Sequence, residues 1–321
     1  MTTATVTARS YMGETDLPGI ARLQNTCKAV DKLDMGSSVG ELRAEFGDPR
    51  LDTTRDLRLW EDADGSLVGF GQLWILQSAN ELDTRLFMWI HPESPDGESE
   101  PQIIAWAVER LREAAREFGK AARLGIQVRE DQADRLVLLR DQGFTIVRYS
   151  FTMTRSLAEP IAAPRLPEGF TLREVAGAHE ADAWAEMFNL SFIDHPNHHP
   201  MNTEQVHHYL NEPIYRQDLN LIAVAPDGTF AGFCWALINP EQNARSGRSM
   251  GEIEILGTRR GFRKIGLGRA LLLEGLHRLK QAGMEAARLN VVANNPTGAL
   301  QLYESVGFCP AHTWMLHAKD V

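Results

Sequence analysis

GEIEILGTRRGFRKIGLGRALLL, residues 251–273, reads as a strand, a basic glycine-rich loop and a helix. Arg263-x-x-Gly266-x-Gly268 opens the helix. The first four N–H groups of any helix lack intrahelical partners, and the macrodipole there favours negative charge. Glycines keep side chains from holding phosphate oxygens away from those N–H groups, and they adopt backbone angles that cost other residues energy. Between 258 and 269 five residues are basic (Arg259, Arg260, Arg263, Lys264, Arg269) and none is acidic. The stretch therefore reads as a pyrophosphate cradle; the competing reading is a surface turn flanked by helix-end arginines. Other phosphate motifs fit poorly. Gly261 and Gly266 have the P-loop spacing, but Leu267 stands where its Lys belongs, and a dinucleotide fingerprint needs a glycine at Leu271.

Outward from this stretch, the chain repeats itself. Thr7-Ala8-Arg9 matches Thr171-Leu172-Arg173, Asp64-Gly65 matches Asp227-Gly228, and Gly69-Phe70 matches Gly232-Phe233. Gly119 then matches Gly283, and Gly143-Phe144 matches Gly307-Phe308, all at an offset of 163 or 164 residues. A steady offset means two copies of one fold. Pro160, Pro164 and Pro167 favour extended backbone between the copies. The expected organisation is a first domain over 1–155, a proline-rich linker over 156–168 and a second domain over 169–321. Each copy reads as a strand, a helical region, a hairpin about its Asp-Gly turn, a further strand, a loop, a long helix, a strand, a short helix, Gly-Phe and a last strand. Ile104, Val108, Leu111, Ala115 and Phe118 recur at helical spacing in the first long helix, as do Leu272, Leu276 and Leu279 in the second, so each presents an apolar face to a sheet.

The second copy resembles the GNAT superfamily of N-acetyltransferases, whose acyl-CoA loop is written Gln/Arg-x-x-Gly-x-Gly/Ala. Arg263, Gly266 and Gly268 match it, and NVVANNPTGALQLYESVGF (290–308) supplies the family's Leu-Tyr and Gly-Phe pairs at Leu302-Tyr303 and Gly307-Phe308. The resemblance covers about 168–321 and extends weakly, through the repeat, to 1–155. It implies an α/β fold (mixed α+β sheet) in two tandem domains, and acetyl-CoA as cosubstrate. Among tandem members the chain is most like the mycothiol synthase type, which acetylates a cysteine amine on a small sugar–inositol conjugate. The family's usual Asn seven residues before the Tyr is Pro296 here, which leaves Asn295 either to touch the cofactor or to cap the helix that Pro296 begins. In the first copy the corresponding loop, HPESPDGESEP (91–101), holds Glu93, Asp96, Glu98 and Glu100, no Lys or Arg, and one glycine. Like charge repels a pyrophosphate. That copy is expected not to bind acetyl-CoA in the usual way, and instead to support the second or wall its acceptor site.

Acetyl transfer to an amine needs a neutral amine, a carbonyl oxygen held as it gains charge, and a protonated leaving thiolate. Glu252 and Glu254 lie on one face of the strand entering the loop. The resemblance ranks Glu252 first as general base and Glu254 second, against the alternative that either pairs with a basic neighbour on an adjacent strand. The resemblance further implies an oxyanion N–H near Leu256, Gly257 and Thr258, where Gly257 would help the strand distort. It implies cofactor contacts along Arg263, Lys264, Ile265, Gly266, Leu267, Gly268 and Arg269, and Tyr303 near the CoA sulfur as acid, with an ordinary core tyrosine as its rival reading.

Thirty-three Lys and Arg against 43 Asp and Glu give a formal charge of −10, which opposes nucleic acid and anionic lipid as partners. Cys27, Cys234 and Cys309 have no Cys-x-x-Cys spacing, and no apolar run reaches membrane-span length. A cytoplasmic protein, monomer or homodimer, is expected. His195, His198, His199, His207 and His208 invite a metal, but adjacent histidines point apart and no cysteine joins them, so surface or acceptor contact is expected and no metal. Trp184, Phe188 and Phe192 are expected in the core. The function implied is acetyl transfer to a primary amine of a small molecule by direct attack, with the second copy active. The alternative is a non-catalytic acyl-CoA-binding regulator.

Overall fold

The computed structural model describes residues 6–31, 36–77, 81–94, 99–194, 200–294 and 298–321. By packing, the chain forms two compact units, 1–147 with 315–321, and 148–314. In chain order the first unit contains β1 (Thr7–Ser10), α1 (Leu17–Val30), α2 (Val39–Phe46), β2 (Leu57–Glu61), β3 (Leu67–Gln77), β4 (Glu81–Ile90), α3 (Ser99–Phe118), β5 (Ala121–Arg129) and α4 (Ala133–Asp141). It passes into the second within β6 (Thr145–Ser156). That unit continues with β7 (Thr171–Glu174), α5 (Ala181–Phe192), α6 (Thr203–Leu210), β8 (Asn220–Val224), β9 (Phe230–Ile238) and the added α7 (Pro240–Ser246). There follow β10 (Met250–Thr258), α8 (Leu267–Gln281), β11 (Ala286–Val292), α9 (Ala299–Ser305) and β12 (Cys309–Asp320), whose end belongs to the first unit. The element order repeats as the sequence implied, in a mixed α/β architecture.

The repeated Thr-x-Arg anchor has a physical reason. Arg9 donates to both oxygens of Asp16 at 2.8 and 2.9 Å, and Arg173 to both of Glu180 at 2.6 and 3.0 Å, seven residues on in each copy. The same carboxylates accept the backbone N–H groups of Met12 and Ala176, so one planar fork fixes strand, turn and helix entry together. Arg9 and Arg173 therefore mark a structural joint.

In the first unit β1 to β4 pair antiparallel and β4 and β5 parallel. α3 covers one face through Ile103, Ile104, Ala107 and Leu111, while Leu17, Ile20 and Leu42 of α1 and α2 cover the other against Leu57, Leu59 and Phe70. Phe118 departs from the expected apolar face and is 44% exposed, because it ends α3 where Gly119 turns the chain away. In the second unit α8 lays Leu272, Leu276 and Leu279, all fully buried, on one face of the sheet. Each such side chain stabilises the fold by roughly 1.5–3 kcal/mol. On the opposite face, Trp184 stacks on Phe188 at 5.8 Å, Phe188 meets Phe192 at 4.9 Å, and both Trp184 and Phe192 pack on Phe233. The aromatic trio is core, as expected.

Candidate active site

β10 has one irregularity, and it decides which way the acidic residues face. On β9, Glu252 lies opposite Leu237 and Ile253 opposite Ala236, and the register resumes with Ile255 opposite Trp235, so Glu254 is the extra residue of a β-bulge. Before the bulge Gly251 and Ile253 face α8; after it Ile255 and Gly257 face α5. Glu252, Glu254 and Ile255 thus share the α5–α6 face, and Leu256 and Thr258 turn to the α8 side. Gly257 has a different reason from the distortion expected of it. A Cβ there would lie 2.4 Å from Cε1 of Phe233, so glycine admits that ring while the distortion sits three residues earlier.

The parallel ladder from β10 to β11 ends at Glu252 opposite Arg288, although β10 continues to Thr258 and β11 to Val292. Beyond this pair the ladder stops and the two strands part. In the first unit the equivalent β4–β5 ladder runs on for six pairs, from Glu81 to Leu86, and β4 pairs with β3 without a bulge.

Two carboxylates on one face have different surroundings. Glu252 accepts a hydrogen bond from Arg288 at 2.5 Å on Oε2 and a longer one from Asn290 at 3.4 Å on Oε1. Asn290 in turn accepts from the Thr152 hydroxyl at 2.7 Å, and Thr152 Oγ1 accepts from Trp314 Nε1 at 2.9 Å. Glu252 is clamped by this chain. Glu254 makes no hydrogen bond or ion pair among the described residues, and burial pushes its carboxyl up to about 7, with Glu252 and Glu212 adding and Arg288 opposing. Its side chain is nonetheless open by surface area. The two facts are compatible where protein atoms surround a carboxyl that still reaches water. Depth, not contact area, sets the desolvation.

The glycine-rich loop leaves backbone donors open at the start of α8. Lys264 has φ +63° and Gly266, the N-cap of α8, has φ +91°, and no side chain caps the helix. The first N–H groups of α8 are therefore left to an outside acceptor. A Cβ at Gly268 would come 3.2 Å from Thr258 Oγ1. The basic side chains contribute less than their number suggests. Arg259 pairs with Glu186 at 2.9 Å, Arg260 with Asp194, and Arg263 with Asp194 at 2.6 Å. Arg263 also donates to the carbonyls of Thr258 at 3.2 Å and Ser191 at 2.8 Å, and Arg269 donates to Ser305 Oγ at 2.6 Å. Arg260 and Arg263 together hold the Asp194 carboxyl below its usual range. Of the five basic residues only Lys264, which is exposed, has no partner among the described residues.

Tyr303 is buried on α9 beside Phe308, at 6.1 Å between rings, and burial pushes its phenol up. Its hydroxyl makes no hydrogen bond among the described residues. Asn295 lies outside the described residues, as do His195, His198 and His199. His207 and His208 lie on α6, and no group of three or more potential metal ligands occurs among the described residues. No helix among the described residues is long and apolar enough to cross a membrane. Sequence reasoning missed Arg288, Asn290, Glu212 and Asp194. The first two were detectable, since AARLNVV alternates polar side chains through an otherwise apolar strand.

Residues 182–308 match the Acetyltransferase (GNAT) family. A mycothiol acetyltransferase of Thermobispora bispora is 34% identical over 166 residues, which cover 52% of this chain and 55% of that one, so the match spans about half the relative's length. A GCN5-related N-acetyltransferase from Sphaerobacter thermophilus superposes with TM-score 0.74 at 24% identity over 98% of this chain and 95% of its own. A tandem GNAT protein from the clavulanic acid biosynthesis pathway superposes with TM-score 0.69 at 16% identity over 98% of both chains. Residues 182–308 are thus similar in sequence to the GNAT acetyltransferases, and the whole chain shares the fold of a tandem GNAT protein.

Proposed function

We propose that the protein transfers an acetyl group from acetyl-CoA to a primary amine of a small molecule, by direct attack in a ternary complex within the unit formed by 148–314. The observation that carries this reading is the parting of β10 from β11 beside an uncapped α8 N-terminus, with an unpartnered carboxyl, Glu254, at the same strand. The cradle residues fit the group. A diphosphate satisfies the open N–H groups of α8 and the free charge of Lys264, and Gly268 leaves no side chain in the way. Acetyl-CoA supplies an activated thioester carbonyl.

Glu254 is the better placed of the two acids to take the amine's proton. A base needs a free lone pair and a pKa near the working pH, and the oxygens of Glu252 are occupied by Arg288 and Asn290. Glu252 then serves as a fixed negative charge that holds the ammonium form beside Glu254. The oxyanion falls to a backbone N–H of Leu256, Gly257 or Thr258 at the parted edge. Tyr303 keeps its proton through the neutral range and offers it to the departing sulfur. Because its pKa lies above a thiol's ~8.5, its help is mainly a hydrogen bond to the thiolate.

The acceptor we favour is the mycothiol precursor, because a relative 34% identical over 166 residues is named for mycothiol. Three carboxylates, Glu212, Glu252 and Glu254, around one Arg288 suit a cationic amine. The first unit, with its longer ladder, regular β4, Glu93 before α3 and Glu100 in the first turn of α3, is assigned a supporting role; Asp96 and Glu98 lie outside the described residues.

Release of free CoA thiol is the test. With acetyl-CoA and a panel of small primary amines including the mycothiol precursor, thiol should appear only with an acceptor present. Binding of acetyl-CoA with no turnover across the panel would favour the regulator instead. Gly266→Val should weaken acetyl-CoA binding about tenfold or more, since a β-branched residue resists φ +91° and tilts the N–H cradle. Calorimetry checks this, and unchanged affinity would place the diphosphate elsewhere.

A further inference from the structure

The first unit holds a cavity of about 320 Å³ lined from β1, β2, α3 and the segment before β2. That volume is at the small end of the ~300–1,000 Å³ of ligand pockets. Ser10 and Arg58 of this lining lie side by side in register, with Gly71 opposite Arg58 on the next strand. Gly71 matters because a Cβ there would come 2.8 Å from Cζ3 of Trp106, so its absence lets the indole lie against the sheet beside Arg58. Trp106 is fixed from below by Trp60, edge-on at 5.7 Å. Trp106, Glu109, Arg110 and Glu113 line the wall from one face of α3, at the spacing that aligns side chains on a helix.

Two guanidinium groups in this cavity carry donors that have no acceptor among the described residues. Arg110 is 8% exposed and donates through Nε to Asp56 at 2.8 Å, but its buried Nη1 has no hydrogen-bond acceptor, with Glu113 at 4.0 Å. Burial pushes the Asp56 carboxyl up to about 6 in spite of Arg110, which marks the pair as poorly solvated. Arg58 makes no hydrogen bond or ion pair among the described residues. The acids of the lining are already engaged: Glu109 by Arg112 at 2.5 Å and Glu113 by Arg55 at 3.5 Å. A buried donor without an acceptor is costly, and a small anion removes that cost.

We propose that this cavity binds a small monocarboxylate, whose oxygens accept from Arg58 and from Nη1 of Arg110 while its apolar body rests on Trp106. A single charge fits because, among the described residues, only one whole guanidinium of the lining, Arg58, is free to balance it. The site is separate from the proposed transfer site, and its test does not depend on acetyl transfer.

Benzoate is the probe, benzamide its neutral isostere and inorganic phosphate the competing anion, each titrated calorimetrically into the full chain. Benzoate should bind in the millimolar range, with benzamide and phosphate at least about tenfold weaker. Arg58→Gln should weaken benzoate about tenfold, and Trp106→Leu should weaken it severalfold. Removing Arg110 alone strands Asp56, so the paired Asp56→Asn/Arg110→Gln variant examines that contact, with circular dichroism to show that it folds. No benzoate heat from the folded chain, equal heat from benzamide, or unchanged affinity in Arg58→Gln would overturn the site. A preference for phosphate would overturn the carboxylate assignment.

Discussion

Glu254→Gln should slow acetyl transfer by about 10²–10⁴-fold while leaving acetyl-CoA affinity unchanged. The substitution keeps the shape and removes only the basic oxygen. Its pH behaviour separates this role from a structural one. Glu254 must be ionised to accept a proton, so wild-type kcat/KM should rise with pH through about 7 and then level. That limb should vanish in the variant. Stability moves the opposite way. The folded-state pKa is raised, so the folded chain binds more protons than the unfolded between the ordinary carboxyl range and about 7, and wild type loses stability as pH rises across that window. Glu254→Gln should therefore match wild type at acid pH and exceed it above 7. Glu252→Gln should do the reverse, costing on the order of 2–3 kcal/mol because it leaves Arg288, only 10% exposed, without its carboxylate. If Glu254→Gln retains full rate and Glu252→Gln abolishes it in a folded protein, the base is Glu252.

A chain ended at Trp314 should lose the first unit's structure. Residues 315–321 pack within that unit, where Met315, Leu316, His317 and Ala318 are buried. Val321 N–H donates to the Ala122 carbonyl at 3.1 Å, Arg123 pairs with Asp320 at 2.7 Å, and Lys319 donates to the Gln142 carbonyl at 2.8 Å. Losing a buried Leu or Met side chain alone costs ~2–5 kcal/mol, against a total stability of ~5–15 kcal/mol for a domain. Hydrogen exchange should show residues 6–147 unprotected in the shortened chain. Protection equal to the full chain's there would show that these seven residues are dispensable.

Much of this was legible in the residues because it depends on local chemistry. Asp-Gly turns, a leucine stripe at helical spacing and a glycine-rich helix start each act over a few neighbouring positions, and the constant offset carried the second copy's order to the first. Arg288 and Asn290 were half legible, as polar interruptions of an apolar strand, but which acid they hold depends on strand neighbours 36 and 38 residues away in sequence. The five basic residues of the loop carried the weakest inference. Their count was plain, yet Arg259, Arg260 and Arg263 find Glu186 and Asp194 on a distant segment, and only Lys264 has no partner among the described residues.

The sequence alone determined the duplication, the order of elements and the glycine-rich start of α8, since each follows from spacing and from the backbone freedom of particular residues. Tertiary structure alone decided that Glu254 occupies a bulge, that Glu252 is clamped by Arg288, and that the chain's last residues complete its first unit. The physical reason is range. Register, desolvation and strand exchange are set by atoms that meet only after the chain has folded, and no local pattern encodes which partner arrives.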